Sequence, residues 1–214
     1  TEGTFSPSTN GEPFPIIMTS NINLIGEGQE VTILDAEGSE ENLRSVILIH
    51  SYSSQNIIHN IIISDVAITN GYDWQSSGGM EVFADNILIE RVKIHSNYAD
   101  GVGGGIDLSG GDNILRDVVI SNNYSVGRLA GCGGGSLHNA YLTNVIVKNN
   151  ITGSSGGGLC VSNSHLSNVV ITNNSAYVGG GIYCFGGSVL SNVTISNNSV
   201  TGLGGGVGSY QYSG

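Results

Sequence analysis

The residues with the clearest chemical potential are three basic side chains at alternate positions, Arg91, Lys93 and His95. Alternate residues of a strand point to the same side, so this spacing predicts one outward face that carries all three. Asp65 and Asp117 occupy the equivalent place in the two flanking repeats and are expected to lie on either side of Arg91. The cluster can neutralise an anionic group, but it can equally form a surface ladder of charge pairs, which is the interpretation we favour.

A second candidate site is a row of tyrosines. Tyr72, Tyr98 and Tyr124 recur at one repeat position, followed by Ile151, and are expected to stack on adjacent coils near Trp74. Exposed aromatic rings suit sugars, which place their apolar faces on such rings. The pattern therefore predicts a glycan-binding track, with the alternative that stacked tyrosines only protect the edges of the coils.

A third row follows the glycine clusters. Its predicted outward positions are Glu81, Asp107, Leu137, Cys160 and Tyr183. Glu81 and Asp107 are candidate metal ligands, together with Asp85 or Asp112, because Ca²⁺ prefers carboxylate oxygens. Calcium is the one cofactor that the sequence suggests.

The chain has three cysteines, Cys132, Cys160 and Cys184, without a Cys-x-x-Cys motif. The register predicts that Cys160 points outward and Cys184 inward, so these two are not expected to pair. The odd count and the absence of clustered histidines also argue against a cysteine-based metal site.

The elements that position these residues are repeated units of about 24 to 27 residues. Clusters of three glycines begin at Gly156, Gly179 and Gly204, and each opens a similar stretch of β-branched residues. Aligned on a Val-x-Ile pattern, the units place aliphatic residues at three positions of every repeat. The valines are Val66, Val92, Val118, Val145, Val169 and Val193, with steps of 26, 26, 27, 24 and 24 residues. A period of this length predicts a solenoid of stacked strands.

The other two aliphatic rows are Ile68, Ile94, Ile120, Val147, Ile171 and Ile195, and Ile63, Ile89, Leu115, Leu142, Leu166 and Leu190. A second inward strand is expected after each glycine cluster, for example through Ile106 and Leu108. Ser136 and His138 interrupt this pattern in one longer coil, where residues 126–132 are expected to form a protruding loop. Residues 1–20, with three prolines, are expected to be irregular and to form a cap or partial coil before repeats over residues 21–214.

Asparagine recurs at one turn position of successive units. The row contains Gly71, Asn97, Asn123, Asn150, Asn174 and Asn198. A stacked asparagine can hydrogen-bond the next side-chain amide and the turn backbone, and it also tolerates left-handed φ. These five asparagines are therefore predicted to form a structural ladder.

Together, the Gly-Gly-Gly-Ile units, the Asn-Asn turns and the opening strands Ile22–Gly26 and Thr32–Asp35 resemble the right-handed parallel β-helix (pectate-lyase-like) superfamily. The repeats are similar to those of polymorphic outer-membrane proteins and autotransporter-type passengers. The resemblance implies an all-β, right-handed parallel β-helix of seven to eight coils. It also implies that Arg91, Lys93 and His95 are similar to the basic residues with which lyases of this superfamily neutralise a uronate and abstract a proton, although no complete catalytic motif is present.

Composition restricts the partners. Seventeen acidic and six basic residues give a net charge of −11, which argues against nucleic acid and anionic membranes as ligands. No apolar run is long enough to span a membrane.

We therefore expect an extracellular or cell-surface domain that binds a polysaccharide or a cell-surface glycan, as adhesin-type passengers do. The first alternative is a polysaccharide lyase or hydrolase that acts on an acidic glycan, and the second is a structural stalk.

Overall fold

The computed structural model describes residues 2–50, 57–127 and 131–210, and this part of the chain winds into a right-handed parallel solenoid of about eight turns. Each full turn contributes strands to four columns, and every strand pairs in parallel with its equivalent in the neighbouring turns. Within the described residues no helix is long and apolar enough to cross a membrane. The predicted fold class is confirmed.

The first column contains β2 (Ile16–Ile17), β5 (Ile47–His50), the start of β9 (Met80–Glu90), β12 (Ile106–Ser109), β16 (Gly135–His138), β20 (Leu159–Ser162), β23 (Ile182–Phe185) and β26 (Val207–Tyr210). The second column contains β3 (Leu24–Ile25), β6 (Ile58–Ser64), the end of β9, β13 (Asn113–Arg116), β17 (Ala140–Thr143), and the first halves of β21 (His165–Thr172) and β24 (Val189–Ser196).

The third column contains β1 (Gly3–Phe5), β4 (Thr32–Asp35), β7 (Ala67–Thr69), β10 (Lys93–His95), β14 (Val119–Ser121), β18 (Ile146–Lys148), and the second halves of β21 and β24. The fourth column contains β8 (Tyr72–Asp73), β11 (Tyr98–Ala99), β15 (Tyr124–Ser125), β19 (Ile151–Thr152), β22 (Ser175–Val178) and β25 (Ser199–Leu203).

The core is the stack of aliphatic rows predicted from the repeat. In the first five aligned coils, all fifteen of these side chains are at most 1% exposed. In the sixth coil, Val193 and Ile195 are partly buried and Leu190 is 37% exposed. Each coil shares this core with its neighbours, because a single turn of chain has nothing else against which to bury its inward side chains.

Two sharp corners in each coil have left-handed backbone. Between the second and third columns, residues with φ of 51–59° are Asp65, Arg91, Asp117, Asn144, Asn168 and Asn192. Between the third and fourth columns, φ is 52–57° at Asn70, Ser96, Asn122, Asn149, Asn173 and Asn197. The left-handed residue is thus the one that precedes each ladder position, and not the ladder asparagine itself as the sequence suggested.

The ladder asparagines lie inside the corner. Asn123 donates from its backbone N–H and from Nδ2 to Oδ1 of Asn150, both at 3.0 Å, and Nδ2 also donates to the carbonyl of Ile94. The same pattern repeats from Asn97 through Asn174 to Asn198. Each buried amide therefore satisfies backbone groups that no strand neighbour reaches.

The predicted register of the first column is wrong at one coil. β16 pairs Gly135 with Ile106, Ser136 with Asp107 and Leu137 with Leu108, so Leu137 points inward and Ser136 outward. A Cβ at Gly135 would lie 2.6 Å from Cγ2 of Ile106, which explains the glycine at this inward position. The glycine run begins one place later here, because Cys132 forms the bridge opposite Gly103. Residues 128–130 of the predicted loop, like residues 211–214 of the last repeat, lie outside the described residues.

The N-terminal segment is more regular than predicted. β1 pairs with β4 and β2 pairs with β5, so residues 3–5 and 16–17 form rungs of the solenoid. Between them, Glu37 accepts hydrogen bonds from the hydroxyls of Ser6 and Ser8, which join this segment to the next coil. The prolines lie at positions 7, 13 and 15, outside these strands.

A disulfide joins Cys132 to Cys160, and Cys184 is free. Cys160 and Cys184 do not pair, as expected, but the bond to Cys132 was not predicted. Cys132 and Cys160 are 1% and 5% exposed, so the disulfide is a buried link between a loop and the first column.

Candidate functional site

The most concave surface that combines polar and aromatic side chains lies over the outward face of the first column. It is a recess of about 400 Å³, lined by His50, Asp73, Gln75, Ser76, Glu81, Phe83, Val102 and Asp107. In-register pairing of β5, β9 and β12 places the outward residues of this face on successive rungs. We refer to this recess as the acidic recess.

One wall of the acidic recess is a pair of loops that connect the fourth column to the first. The carboxylate of Asp73 organises the first loop, since Oδ1 accepts the backbone N–H groups of Gln75 and Ser76, each at 2.7 Å. The second loop is attached to the first through the N–H of Val102, which donates to the carbonyl of Ser76. Asp73 therefore builds the wall.

The floor of the acidic recess contains two carboxyl groups on neighbouring rungs, Glu81 and Asp107. Asp107 is only 6% exposed. Burial, and then the charge of Glu81, raise the pKa of Asp107 to about 6, while a hydrogen bond with Ser136 acts in the opposite direction. Glu81 lies 3.1 Å from Nδ1 of His50. The two carboxyl groups thus have different surroundings, which is the condition for one to donate a proton while the other remains charged.

A second recess of about 290 Å³ continues along the same face. Its lining includes the disulfide cysteines, Ser136, His138, Val161 and Phe185, and Val102 lines both recesses. Phe83 is at the far end of the acidic recess, in edge-to-face contact with His50, and Phe185 is at the other end, in edge-to-face contact with Tyr183. We call the two recesses together the groove. From the rung of His50 to that of Phe185 there are five strand spacings, or about 24 Å.

The predicted basic cluster has a different geometry from the one expected. Arg91 is at a left-handed corner and not within a strand, and its guanidinium binds Asp65 at 2.7 Å and Glu90 at 3.0 Å. Asp117, the other expected neighbour, accepts instead from Asn144. The two carboxylates raise the pKa of Arg91, and the guanidinium in turn lowers the pKa of Asp65.

The other two members of the cluster lie on β10. Lys93 pairs with Glu30 at 3.1 Å. His95 lies 3.4 Å from the hydroxyl of Thr69 and 3.1 Å from that of Ser96, and burial together with the charge of Lys93 lowers its pKa. The lowered pKa makes His95 a neutral imidazole at pH 7, and both cations of the cluster are already paired with carboxylates.

The tyrosine row is a stack of rings. Tyr72 and Tyr98 are parallel with centroids 4.3 Å apart, and Tyr98 and Tyr124 follow at 5.2 Å. Desolvation and the contact with Tyr72 raise the pKa of Tyr98. Each ring face is covered by the next ring, so the row presents edges and hydroxyls where a sugar platform needs faces. Trp74, two residues beyond Tyr72, is 49% exposed.

The candidate metal ligands do not form a cage. Across residues 2–50, 57–127 and 131–210, no three His, Cys, Asp or Glu side chains are grouped so that they can hold a metal ion. Asp85 accepts the N–H of Gly111, and Asp112 lies at a left-handed position with φ of 55°. Glu81 and Asp107 remain together, but as a carboxyl pair.

Sequence reasoning missed His50, Phe83 and the two loops of the groove wall. His50 and Phe83 are aligned in the structure, but 33 residues separate them, a step well outside the regular period. The available signal was the alternation Ile47-Leu48-Ile49-His50, which matches Met80-Glu81-Val82-Phe83 position by position. The loops were not detectable in this way because they belong to no repeated row.

The comparison with protein families gives one match. The family described as right-handed beta helix region matches residues 47–214, which is most of the chain. Neither a curated protein nor a solved structure matches the chain. The match covers every strand of the groove and extends to the last described coil.

Proposed function

The chain belongs to the right-handed β-helix family, and from this premise we propose that it binds an extended, uncharged glycan along the groove of its first column. The observation that carries the proposal is the continuity of this groove, which has an aromatic side chain near each end and hydrogen-bonding groups between them. Ligand sites in proteins typically combine apolar walls with a few polar groups in this way.

The charges of the groove favour an uncharged glycan over an acidic one. Asp73, Glu81 and Asp107 line the acidic recess, whose lining contains no lysine or arginine among the described residues. A uronate placed there would meet carboxylates. The basic cluster offers no better site for an acidic glycan, because Arg91 and Lys93 are paired with carboxylates of this chain.

We also propose an extracellular or cell-surface location. Disulfides persist in oxidising compartments and are rare in the cytosol, and the bond between Cys132 and Cys160 forms part of the groove. A surface location agrees with a glycan ligand.

The test is binding to a panel of neutral and acidic oligosaccharides, followed by titration calorimetry on those retained. We expect at least one neutral oligosaccharide to bind, and we expect Phe83→Ala to weaken its binding by about tenfold, equivalent to about 1.4 kcal/mol. Tyr98→Ala is the matched control, because it removes an aromatic ring from the fourth column.

Two results would contradict the proposal. If no glycan in the panel binds, the chain is better explained as a structural stalk. If Tyr98→Ala weakens binding while Phe83→Ala does not, the tyrosine row is the binding surface.

A further inference from the structure

The acidic recess holds more polar chemistry than binding alone requires. Two carboxyl groups on neighbouring rungs, Glu81 and Asp107, share it with a histidine and a phenylalanine. A glycan needs hydrogen-bonding partners, but a nearly buried carboxyl group beside a second one is costly to maintain. Arrangements of this kind occur where acids and bases act on a bound substrate.

We propose that Asp107 and Glu81 hydrolyse a glycosidic bond of the neutral glycan that lies in the groove. This inference rests on the proposed glycan binding and assigns a reaction to the same site. Asp107 is the general acid and base, and Glu81 is the nucleophile.

The geometry separates the two roles. Asp107 is nearly buried and hydrogen-bonded to Ser136, which favours a carboxyl group that retains its proton. Glu81 is more open, with 15% of its side chain exposed, and lies within hydrogen-bonding distance of His50. A donor from the imidazole stabilises the charged form of Glu81.

The rung spacing indicates the stereochemical course. Residues in register on neighbouring parallel strands are about 4.8 Å apart. Retaining glycosidases have carboxyl groups about 5–5.5 Å apart, whereas inverting enzymes need about 6.5–9.5 Å to fit a water molecule between them. In-register carboxyl groups such as Glu81 and Asp107 therefore fit the retaining spacing.

The reaction has two balanced steps. In the first, a Glu81 carboxylate oxygen forms a bond to the anomeric carbon while the glycosidic C–O bond breaks, and Asp107 transfers its proton to the departing oxygen. In the second, the Asp107 carboxylate takes a proton from water, the water oxygen bonds to the anomeric carbon, and the bond to Glu81 breaks. The net change is the addition of one water molecule across the glycosidic bond, and both carboxyl groups return to their initial states.

The experiment incubates the folded chain with malto-, cello-, xylo- and laminari-oligosaccharides and measures new reducing ends, with binding to the same sugars measured separately. We expect cleavage of at least one bound oligosaccharide, with the first product in the anomeric configuration of the substrate by proton NMR. Asp107→Asn and Glu81→Gln should each reduce the rate by about 100-fold or more, since acid–base groups contribute at least that much. Asp117→Asn is the matched control, because this carboxyl group lies at a corner beyond the groove.

The outcomes separate this inference from the proposed function. Binding without any new reducing ends would overturn hydrolysis and leave glycan binding in place. A panel that neither binds nor is cleaved would overturn both. Cleavage that persists in the two groove variants, or that inverts the anomeric configuration, would overturn the assigned roles. Thermal melts of each variant show whether a lost activity reflects a lost fold, and Glu81→Gln tests the site independently of the more buried position.

Discussion

Replacement of Asp107 by asparagine should change how stability depends on pH. The ordinary pKa of an aspartate is 3.8, and in the folded protein burial and the charge of Glu81 raise that of Asp107 to about 6. Each tenfold change in proton affinity is worth about 1.4 kcal/mol, so this difference corresponds to about 3 kcal/mol. The side chain is 6% exposed, and solvent screening is therefore small.

The sign follows from which state holds the proton. Below about pH 4, Asp107 is protonated in both the folded and the unfolded chain, and its favourable contribution is complete. As the pH rises towards 6, the unfolded chain loses the proton first, so the folded state loses about 3 kcal/mol relative to the unfolded state. Asparagine does not titrate. Relative to wild type, Asp107→Asn should therefore gain about 3 kcal/mol between pH 4 and pH 7.

The assay is urea denaturation of both proteins at pH 4, 5, 6 and 7, with the difference in unfolding free energy plotted against pH. The carboxyl groups of Glu37, Asp65 and Glu90 have lowered pKa values and lose stability as the pH falls, but they are common to both proteins and cancel in the difference. Glu81→Gln should flatten part of the wild-type dependence, because it removes the neighbouring charge. A difference that stays constant from pH 4 to pH 7 would refute the raised pKa and the reasoning on the acidic recess.

Three further predictions concern the scaffold and the other proposed sites. Asn174→Leu removes the acceptor for two donors of Asn150 and the donor to the carbonyl of Val147, so it should lower the unfolding free energy by about 3–6 kcal/mol in chemical denaturation; a loss below about 0.5 kcal/mol would mean that the ladder is not structural. Replacement of both Cys132 and Cys160 by serine opens a link across 28 residues and should cost about 3–4 kcal/mol in the same assay, whereas unchanged stability would contradict the disulfide. Arg91→Ala should leave glycan binding and any release of reducing ends unchanged, and a loss of either would restore the basic cluster as the functional site.

Much of the scaffold follows from local sequence. The rows that begin at Ile63, Val66 and Ile68 predict which side chains face inward, because side chains alternate along a strand and the rows repeat at nearly constant steps. The asparagine ladder follows from the same repetition. Where the step changes, the prediction is wrong: the first column was misaligned at Ser136 because the glycine run is displaced by one residue opposite Gly103.

The candidate site was less predictable, because its members come from unequal steps and from loops outside the repeat. Glu81 and Asp107 were recognised as neighbours, but as metal ligands, and nothing in the sequence showed that Asp107 is nearly buried. The basic residue Arg91 was placed in its correct row, while its ion pairs with Asp65 and Glu90 depend on side-chain directions at a left-handed corner.

The sequence by itself determined that the chain is a parallel solenoid and which aliphatic rows form its core, since these depend on alternation within a strand and on repetition between strands. Only the tertiary structure decided that Cys132 meets Cys160, that the tyrosine rings cover one another, and that a groove lies over the first column. These features depend on contacts between coils of unequal length and on the paths of connecting loops, where no period relates one residue to the next.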